Sequence, residues 1–204
     1  MNQKQFLLKD LKQHGFSKQT LSAFEKVKRE DFIPENLKER AYEDAALPLG
    51  FGQTISQPYT IATMLSLLEL KPGFKVLEIG SGCGYVLALI SKIVGKNGKV
   101  FGIEIIKSLF DSSRKNLKNY ENVKIYAGDG KSGLSKYAPF DRILISAASD
   151  KISKKLIEQL KEKGIIVAPL GNRYEQFLMA FEKINRGLQL KKEIPGFVFV
   201  PLVD

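Results

Sequence analysis

The sequence contains one cysteine, one histidine and no tryptophan among its 204 residues. Cys83 alone cannot form a disulfide within the chain, and Cys83 with His14 cannot supply a closed zinc site of Cys and His ligands. No run of roughly 18 apolar residues is present, and the charged N-terminus lacks the apolar centre of a signal peptide. We therefore expect a cytoplasmic protein without a membrane span, a disulfide or a metal.

Acidic residues are in the minority, since 22 Asp and Glu stand against 32 Lys and Arg and leave a net charge of +10. Such an excess first suggests nucleic acid as a partner. The basic residues are spread thinly along the chain, however, and we find no RNA-binding signature. A lysine-rich solvated surface is the preferred interpretation, so nucleic acid is not an expected partner.

Apolar strand-like runs alternate with helix-like stretches over residues 75–171, where the last helix is expected at 153–163. This order is typical of a βαβ series and predicts an α/β fold with a doubly wound, mostly parallel, Rossmann-like sheet. Runs at 177–184, 188–194 and 197–202 have no helix-length segment between them. They predict antiparallel strands at the C-terminal edge of the sheet.

Residues 3–13, 17–29 and 56–70 have helical patterns and predict helices before the sheet begins. Ser17 and Ser56 are suitable N-cap residues for the second and third of these helices. Neither a repeat nor a flexible linker is found, so we expect a single domain.

The first strand of the series leads into a loop with Gly80, Gly82 and Gly84 at alternate positions. A dinucleotide-binding fingerprint needs its third glycine at position 85, which is Tyr85, and the Gly-Lys-Ser/Thr ending of a Walker A loop is absent. Glycines at this spacing let the backbone approach a ligand closely at a helix N-terminus. The pattern resembles motif I of class I S-adenosylmethionine-dependent methyltransferases, whereas a simple tight turn would explain one or two glycines.

Two acidic residues follow the next two strands. Glu104 ends the strand after the glycine loop, where an acid can accept hydrogen bonds from ribose hydroxyls. Asp129 lies at the carboxyl end of the following strand and is suited to an amino group on the adenine edge. Either acid alone fits a solvated loop, but together with the glycine loop they indicate a cofactor site.

The segment FGQTISQPYTIATMLSLLELKPGFKVLEIGSGCGY (51–85) resembles the protein-L-isoaspartate O-methyltransferase family, in which G-Q-T-I-S-Q-P-Y precedes motif I at this spacing. The similarity continues through 29–52, 128–148, 156–171 and 197–202. It implies methyl transfer from S-adenosylmethionine to the carboxylate of an L-isoaspartyl residue in a damaged protein. The resulting ester closes to a succinimide, from which normal aspartate can be recovered.

The resemblance also implies roles for individual residues. Ser56 matches the position designated the active-site serine. The implied cofactor-binding residues are Gln53, Thr54, Glu78, Gly80, Ser81, Gly82, Gly84, Glu104, Gly128 and Asp129. The implied substrate-binding residues are Thr54, Ile55, Ser56, Val200 and Leu202. An ionised carboxylate is already a nucleophile, so the hydroxyl of Ser56 need only orient it, and no general base is required.

We expect one methyltransferase domain over 1–204 that acts as a monomer on isoaspartyl-containing peptides and proteins. Residues 1–70 would form the helical segment and substrate loop, 71–171 the cofactor-binding core, and 172–204 the C-terminal strands. Two alternatives remain. A methyltransferase of RNA or another protein would fit the positive charge, and a cofactor-binding pseudoenzyme would fit the loop 146–153, which lacks the family's usual proline.

Overall fold

The central feature of the computed structural model, which describes residues 2–172 and 174–203, is a seven-stranded sheet. The helices are α1 (Gln3–Gln13), α2 (Lys18–Lys26), α3 (Pro58–Leu67), α4 (Tyr85–Val94), α5 (Lys107–Asn116) and α6 (Lys154–Gln159). The strands are β1 (Leu47–Gly50), β2 (Gln53–Ile55), β3 (Lys75–Ile79), β4 (Lys99–Glu104), β5 (Val123–Ala127), β6 (Phe140–Ile145), β7 (Leu160–Gly171), β8 (Gln176–Ile184) and β9 (Gly187–Pro195). Short 3₁₀ turns occupy Arg29–Phe32, Glu35–Arg40, Gly130–Ser132 and Ser135–Tyr137.

The strand order in the sheet is β5-β4-β3-β6-β7-β8-β9. The strands from β5 to β7 are parallel, while β8 and β9 are antiparallel additions. The chain runs outward from β3 to β5 and then returns to β6 on the other side of β3. In such sheets, ligands bind beyond the carboxyl ends of the strands at this reversal. The predicted fold class is therefore confirmed, and the expected site lies between β3 and β6.

Apolar side chains cover both faces of the sheet, as a buried parallel sheet requires. Along β3, Val76 belongs to one buried cluster, whereas Leu77 and Ile79 belong to the other. The first cluster extends through the helices before the sheet, including Leu7 and Leu11 of α1. Among the described residues, no helix has the length and apolarity needed to cross a membrane.

The helices before the sheet lie close to their predicted positions. Ser17 caps α2 as expected, since its hydroxyl oxygen accepts a hydrogen bond from the Thr20 amide at 3.2 Å. Ser56 does not cap α3: the N-cap is Gln57, and the Asp44 carboxylate accepts from the Tyr59 amide at 2.7 Å. An acid from a preceding loop thus satisfies the helix start, which corrects the predicted cap.

Two other expectations differ from the structure, and one element was not predicted. The helix predicted over 153–163 ends at Gln159, because Leu160 pairs with Phe140 and begins β7. The segment 197–202 is not a strand, although Pro201 forms an isolated β-bridge with Ala148. Residues 47–55 form an unpredicted hairpin of β1 and β2, whose strands have only four and three residues.

Candidate functional site

The glycine loop turns sharply at the carboxyl end of β3. Gly80, Gly82 and Gly84 have φ angles of 74°, 52° and 86°, in the left-handed region that favours glycine. The Gly80 and Ser81 amides donate to the Ile103 carbonyl at 2.9 and 3.1 Å. These bonds fold the loop over the end of β4 and bring it beside Glu104.

Glu104 is buried, and its carboxylate holds the loop in place. Its Oε2 accepts from the Gly82 amide at 2.7 Å, and its Oε1 accepts from the Ile106 amide at 2.9 Å. Each carboxylate oxygen can accept about two hydrogen bonds, so both retain capacity for hydroxyl donors. The position predicted for a ribose-binding acid is thus also a structural anchor.

Glu78 is a buried acid on β3, only 1% exposed. Its Oε1 accepts from the Ser146 hydroxyl at 2.7 Å, while its Oε2 has no hydrogen-bond partner among the residues described. Burial raises the pKa of Glu78 from its usual 4.5 to about 8; the Ser146 hydrogen bond opposes the shift, and the negative charge of Glu104 adds to it. The hydroxyl of Ser81 is likewise buried without a partner within the described part of the chain. Two unpaired buried oxygens beside a glycine loop suit a ligand whose polar groups can pair with them.

The raised pKa of Glu78 predicts a pH-dependent cost to stability. Between pH 4.5 and about 8, the unfolded carboxyl is ionised while the folded one retains its proton, so stability falls as pH rises through this window. Glu78→Gln removes this titration. As pH rises from 5 to about 8, we expect the variant to become more stable relative to the wild type. The unfolding free energies of both proteins are measured by urea denaturation. A difference that stays constant with pH would contradict the assignment.

Asp129 lies at the carboxyl end of β5, after Gly128, whose φ angle is 150°. Its Oδ1 accepts from the Lys131 amide at 2.8 Å and caps the 3₁₀ turn Gly130–Ser132. The Asp129 side chain is exposed at the same sheet edge as the glycine loop. The structure therefore gathers the glycines and the two sequence-predicted acids along neighbouring strand ends.

A small cleft of about 50 Å³ lies between the segment after β2 and the C-terminal segment. Its lining consists of Ala46, Thr54, Ser56, Gln57, Thr60, Ser146, Val198, Phe199 and Val200. Ser146 joins the cleft to the buried acid Glu78 through its hydroxyl hydrogen bond. Thr54, Ser56 and Val200, all expected at the substrate site, thus meet beside the glycine-loop edge.

Arg29 fixes the backbone around Ser56. This arginine is fully buried; its Nη1 donates to the Ser56 carbonyl at 2.7 Å and its Nη2 to the Ala45 carbonyl at 3.0 Å. Its guanidinium carbon lies 5.6 Å from the centre of the Tyr85 ring, within the range of a cation–π contact. One side chain therefore joins the segment containing Ser56 to the helix that follows the glycine loop.

The C-terminal segment is held by a few specific hydrogen bonds. The Ala148 amide donates to the Val200 carbonyl, and the Leu202 amide donates to the Ala148 carbonyl, both at 2.8 Å. The buried side chain of Gln176 accepts from the Phe199 amide at 2.7 Å and donates to the Phe199 carbonyl at 3.3 Å. The two bonds to Ala148 form an isolated parallel β-bridge with Pro201, and the Gln176 side chain occupies the backbone groups of Phe199, so the pairing does not extend into the predicted strand at 197–202.

Other expected site residues lie outside the cleft lining. Ile55 is buried in the core, and Leu202 packs against the second apolar cluster. Gln53 lies in the hairpin, where it pairs with Gly50. Sequence reasoning missed Ser146, although its place after β6 at the carboxyl edge was a usable signal. It also missed Arg29, for which the sequence offers no signal of burial.

Comparison with known proteins gives consistent results. The family model for protein-L-isoaspartate(D-aspartate) O-methyltransferase (PCMT) matches residues 2–204. A protein-L-isoaspartate O-methyltransferase of Thermosipho melanesiensis is 44% identical over 195 residues, covering 95% of this chain and 98% of the relative.

Two solved structures are similar over almost the whole chain. One, described as a protein-L-isoaspartate O-methyltransferase, has a TM-score of 0.89 and 29% identity, covering 98% of this chain and 66% of that chain. The other, from Plasmodium falciparum, is described as a beta-aspartate methyltransferase (PCMT) in complex with S-adenosyl-L-homocysteine. It has a TM-score of 0.85 and 26% identity and covers 100% of this chain and 99% of that chain. The resemblance expected from the motifs is confirmed: the chain belongs to the protein-L-isoaspartate(D-aspartate) O-methyltransferase family.

Proposed function

We propose that this protein transfers a methyl group from S-adenosylmethionine to the carboxylate of L-isoaspartyl residues in damaged proteins, which starts their repair. The observation that carries the proposal is the cleft in which Thr54, Ser56 and Val200 meet beside the glycine-loop edge. Membership of the family supports the same reaction and the same cofactor. The protein is accordingly an enzyme, a protein-L-isoaspartate (D-aspartate) O-methyltransferase.

The residues at the sheet edge fit the cofactor. Glu78 and Ser81 have buried oxygens without partners in the described chain, which suit the amino-acid part of the ligand. Glu104 retains acceptor capacity for ribose hydroxyls, and Asp129 is exposed to accept from the adenine amino group. We assign backbone or loop contacts with the cofactor to Gln53, Thr54, Gly80, Gly82, Gly84 and Gly128. When bound there, S-adenosylmethionine supplies a methyl group activated by a sulfonium charge.

Ser56 orients the acceptor in this proposal. Its hydroxyl donates a hydrogen bond to the isoaspartyl carboxylate, which needs no base because it is already ionised. Ile55 and Leu202 support the walls of the substrate site from the core side, and Thr54 and Val200 line it. A small cleft lined partly by apolar residues excludes water, which favours a reaction that neutralises opposite charges.

Transfer of labelled methyl from S-adenosylmethionine to matched peptides tests the function. One peptide contains L-isoaspartate and the other aspartate at the same position. We expect base-labile label on the isoaspartyl peptide alone, since a carboxyl methyl ester hydrolyses in mild base. Base-stable label on RNA or on protein amines would replace the proposal with another acceptor class. Cofactor binding without any transfer would indicate a pseudoenzyme.

Ser56→Ala should lower kcat by about ten- to a hundred-fold, because a hydrogen bond to a charged group is lost. The dissociation constant of S-adenosylhomocysteine, measured by calorimetry, should hardly change. Ser66→Ala is the matched control, since Ser66 is exposed on the helix that follows. Full activity in the Ser56 variant would remove its hydroxyl from the reaction.

Asp129→Asn should weaken binding of S-adenosylhomocysteine by about 1–3 kcal/mol. The asparagine oxygen can still cap the Lys131 amide, but its NH₂ group then faces the adenine amino group, where two donors cannot pair. Thermal stability should stay near that of the wild type, which separates cofactor binding from loop folding. An unchanged dissociation constant would exclude Asp129 from the site.

We further propose that one domain carries this activity, as a monomer in the cytoplasm. A single domain is supported by one buried cluster that includes both Leu7 near the start and Phe199 near the end of the chain. The lone Cys83 is buried, and burial raises its thiol pKa to about 11, so it has little thiolate at neutral pH. Nucleic acid is not the methyl acceptor in this proposal. Light scattering and cell fractionation test the assembly and the location.

A further inference from the structure

A large depression, separate from the small cleft described above, lies at the opposite edge of the sheet from the proposed cofactor site. Lys75 and Lys99 begin β3 and β4, and Lys124 is the second residue of β5, so the depression is at the amino ends of these strands. Its volume is about 710 Å³, within the usual range for ligand sites. Six lysines line it: Lys75, Lys92, Lys96, Lys99, Lys124 and Lys136. We call it the lysine groove.

The lysine groove concentrates positive charge, with six lysines against one acidic lining residue. Its only acidic lining residue is Glu121. No carboxylate of the described residues forms an ion pair with any of the six ammonium groups. The Lys75 ammonium donates to the Tyr137 carbonyl at 3.0 Å, and the Lys92 ammonium lies 5.0 Å from the centre of the Tyr120 ring. Mutual repulsion among these lysines is relieved when a polyanion binds.

The positive surface continues beyond the groove along the edge strand β5. A neighbouring depression of about 430 Å³ shares Tyr120, Glu121 and Lys124 with the lysine groove. It adds the cationic residues Arg114 and Lys118. A continuous path of this kind fits an extended chain of phosphates better than a single small anion.

Aromatic side chains are placed along the same path. Tyr120 and Tyr137 are half-exposed in the lysine groove, where one face of the Tyr137 ring stacks on Phe101 with ring centres 4.6 Å apart, and Tyr126 lines the neighbouring depression. The Tyr126 hydroxyl donates to the Tyr137 hydroxyl at 2.6 Å, which links the two depressions. Basic grooves with interspersed aromatic rings are characteristic of surfaces that bind single-stranded nucleic acid, where phosphates contact cations and bases stack on rings.

We propose that the lysine groove and its continuation bind a single-stranded nucleic acid segment. This differs from the expectation drawn from the sequence, because folding gathers lysines from six separated positions that form no basic run. The bound strand is not the methyl acceptor, since it lies at the amino edge of the sheet while the glycine loop lies at the carboxyl edge. The inference therefore goes beyond the proposed methyl transfer.

Fluorescence anisotropy with a labelled oligouridylate tests the proposal over a series of salt concentrations. The logarithm of the binding constant should fall with the logarithm of salt by about 0.7 per phosphate contact. The triple variant Lys96→Gln, Lys99→Gln, Lys124→Gln should weaken binding about ten-fold or more and reduce this slope by about 2. The matched control is Lys9→Gln, Lys12→Gln, Lys18→Gln, which removes the same charge from exposed lysines of the N-terminal helices. Equal weakening in both triple variants would overturn the groove as the site.

A second comparison separates nucleic acid from any polyanion. Oligouridylate should bind the wild type several-fold more tightly than an abasic strand with the same number of phosphates, since only bases can stack on the tyrosines. Equal affinity for the abasic strand, or equally effective competition by polyglutamate, would overturn the assignment to nucleic acid. Methyl transfer to the isoaspartyl peptide should be unchanged in the groove variant, which also shows that it is folded.

Discussion

Replacing Gly84 with alanine should lower the free energy of unfolding by about 2–4 kcal/mol. Gly84 has a φ angle of 86°, so any side chain there is strained. An added Cβ would also lie 2.8 Å from Leu117 Cδ1 and 3.2 Å from Ser113 Cβ, which forces α5 and the residue after it away from the glycine loop. Urea denaturation measures the loss.

Gly82→Ala is the matched control for this prediction. Gly82 has a φ angle of 52°, but the nearest atom to its added Cβ is Leu49 Cδ1 at 3.8 Å, an ordinary contact. We expect it to cost only the strain of the left-handed backbone, about 1–2 kcal/mol. If both variants lose the same stability, the close approach of α5 does not contribute.

Arg29→Met should lower kcat/KM for the isoaspartyl peptide on the order of 10²-fold, because Ser56 loses its anchor and shifts relative to the acceptor. The free energy of unfolding should fall by about 2–4 kcal/mol, since two carbonyls lose hydrogen bonds from a charged donor. Binding of S-adenosylhomocysteine should change little, because the two hydrogen bonds of Arg29 go to the Ser56 and Ala45 carbonyls and not to the glycine loop. Calorimetry and steady-state kinetics measure the two effects.

Arg29→Lys distinguishes positioning from bulk stability. A lysine keeps the charge but cannot reach two carbonyls with the fixed fork of a guanidinium. We therefore expect intermediate stability with most of the kinetic defect retained. Recovery of full kcat/KM in Arg29→Lys would show that charge alone, and not the paired geometry at Ser56 and Ala45, is what the site requires.

Regular patterns made the parallel core predictable. The helix α4 spans Tyr85–Val94 because this segment is almost entirely apolar and lies between a glycine loop and Gly95. The glycine loop was predictable because its three glycines occupy backbone conformations that other residues rarely adopt. The edge position of Glu104 and Asp129 followed from the parallel order of the strands.

The errors occurred where side chains from distant positions decide the local structure. Asp44 caps α3 from a preceding loop, so the nearby Ser56 is free of that role. Gln176 occupies the backbone groups of Phe199, so a sequence with high β propensity remains outside the sheet. The lysine groove likewise depends on residues that are separated along the chain. None of these contacts leaves a periodic pattern from which it could be predicted.

The hydrogen bonds of Arg29 have a consequence for how this enzyme can diversify. Its hydrogen bonds from Nη1 and Nη2 go to main-chain carbonyls, at Ser56 and Ala45, so this anchor does not depend on the side chains at those positions. Substitutions around the acceptor cleft can therefore accumulate without loss of the loop's backbone path. A library that varies residues 54, 57 and 60 with Arg29 kept constant is the natural starting point for selecting new carboxylate acceptors.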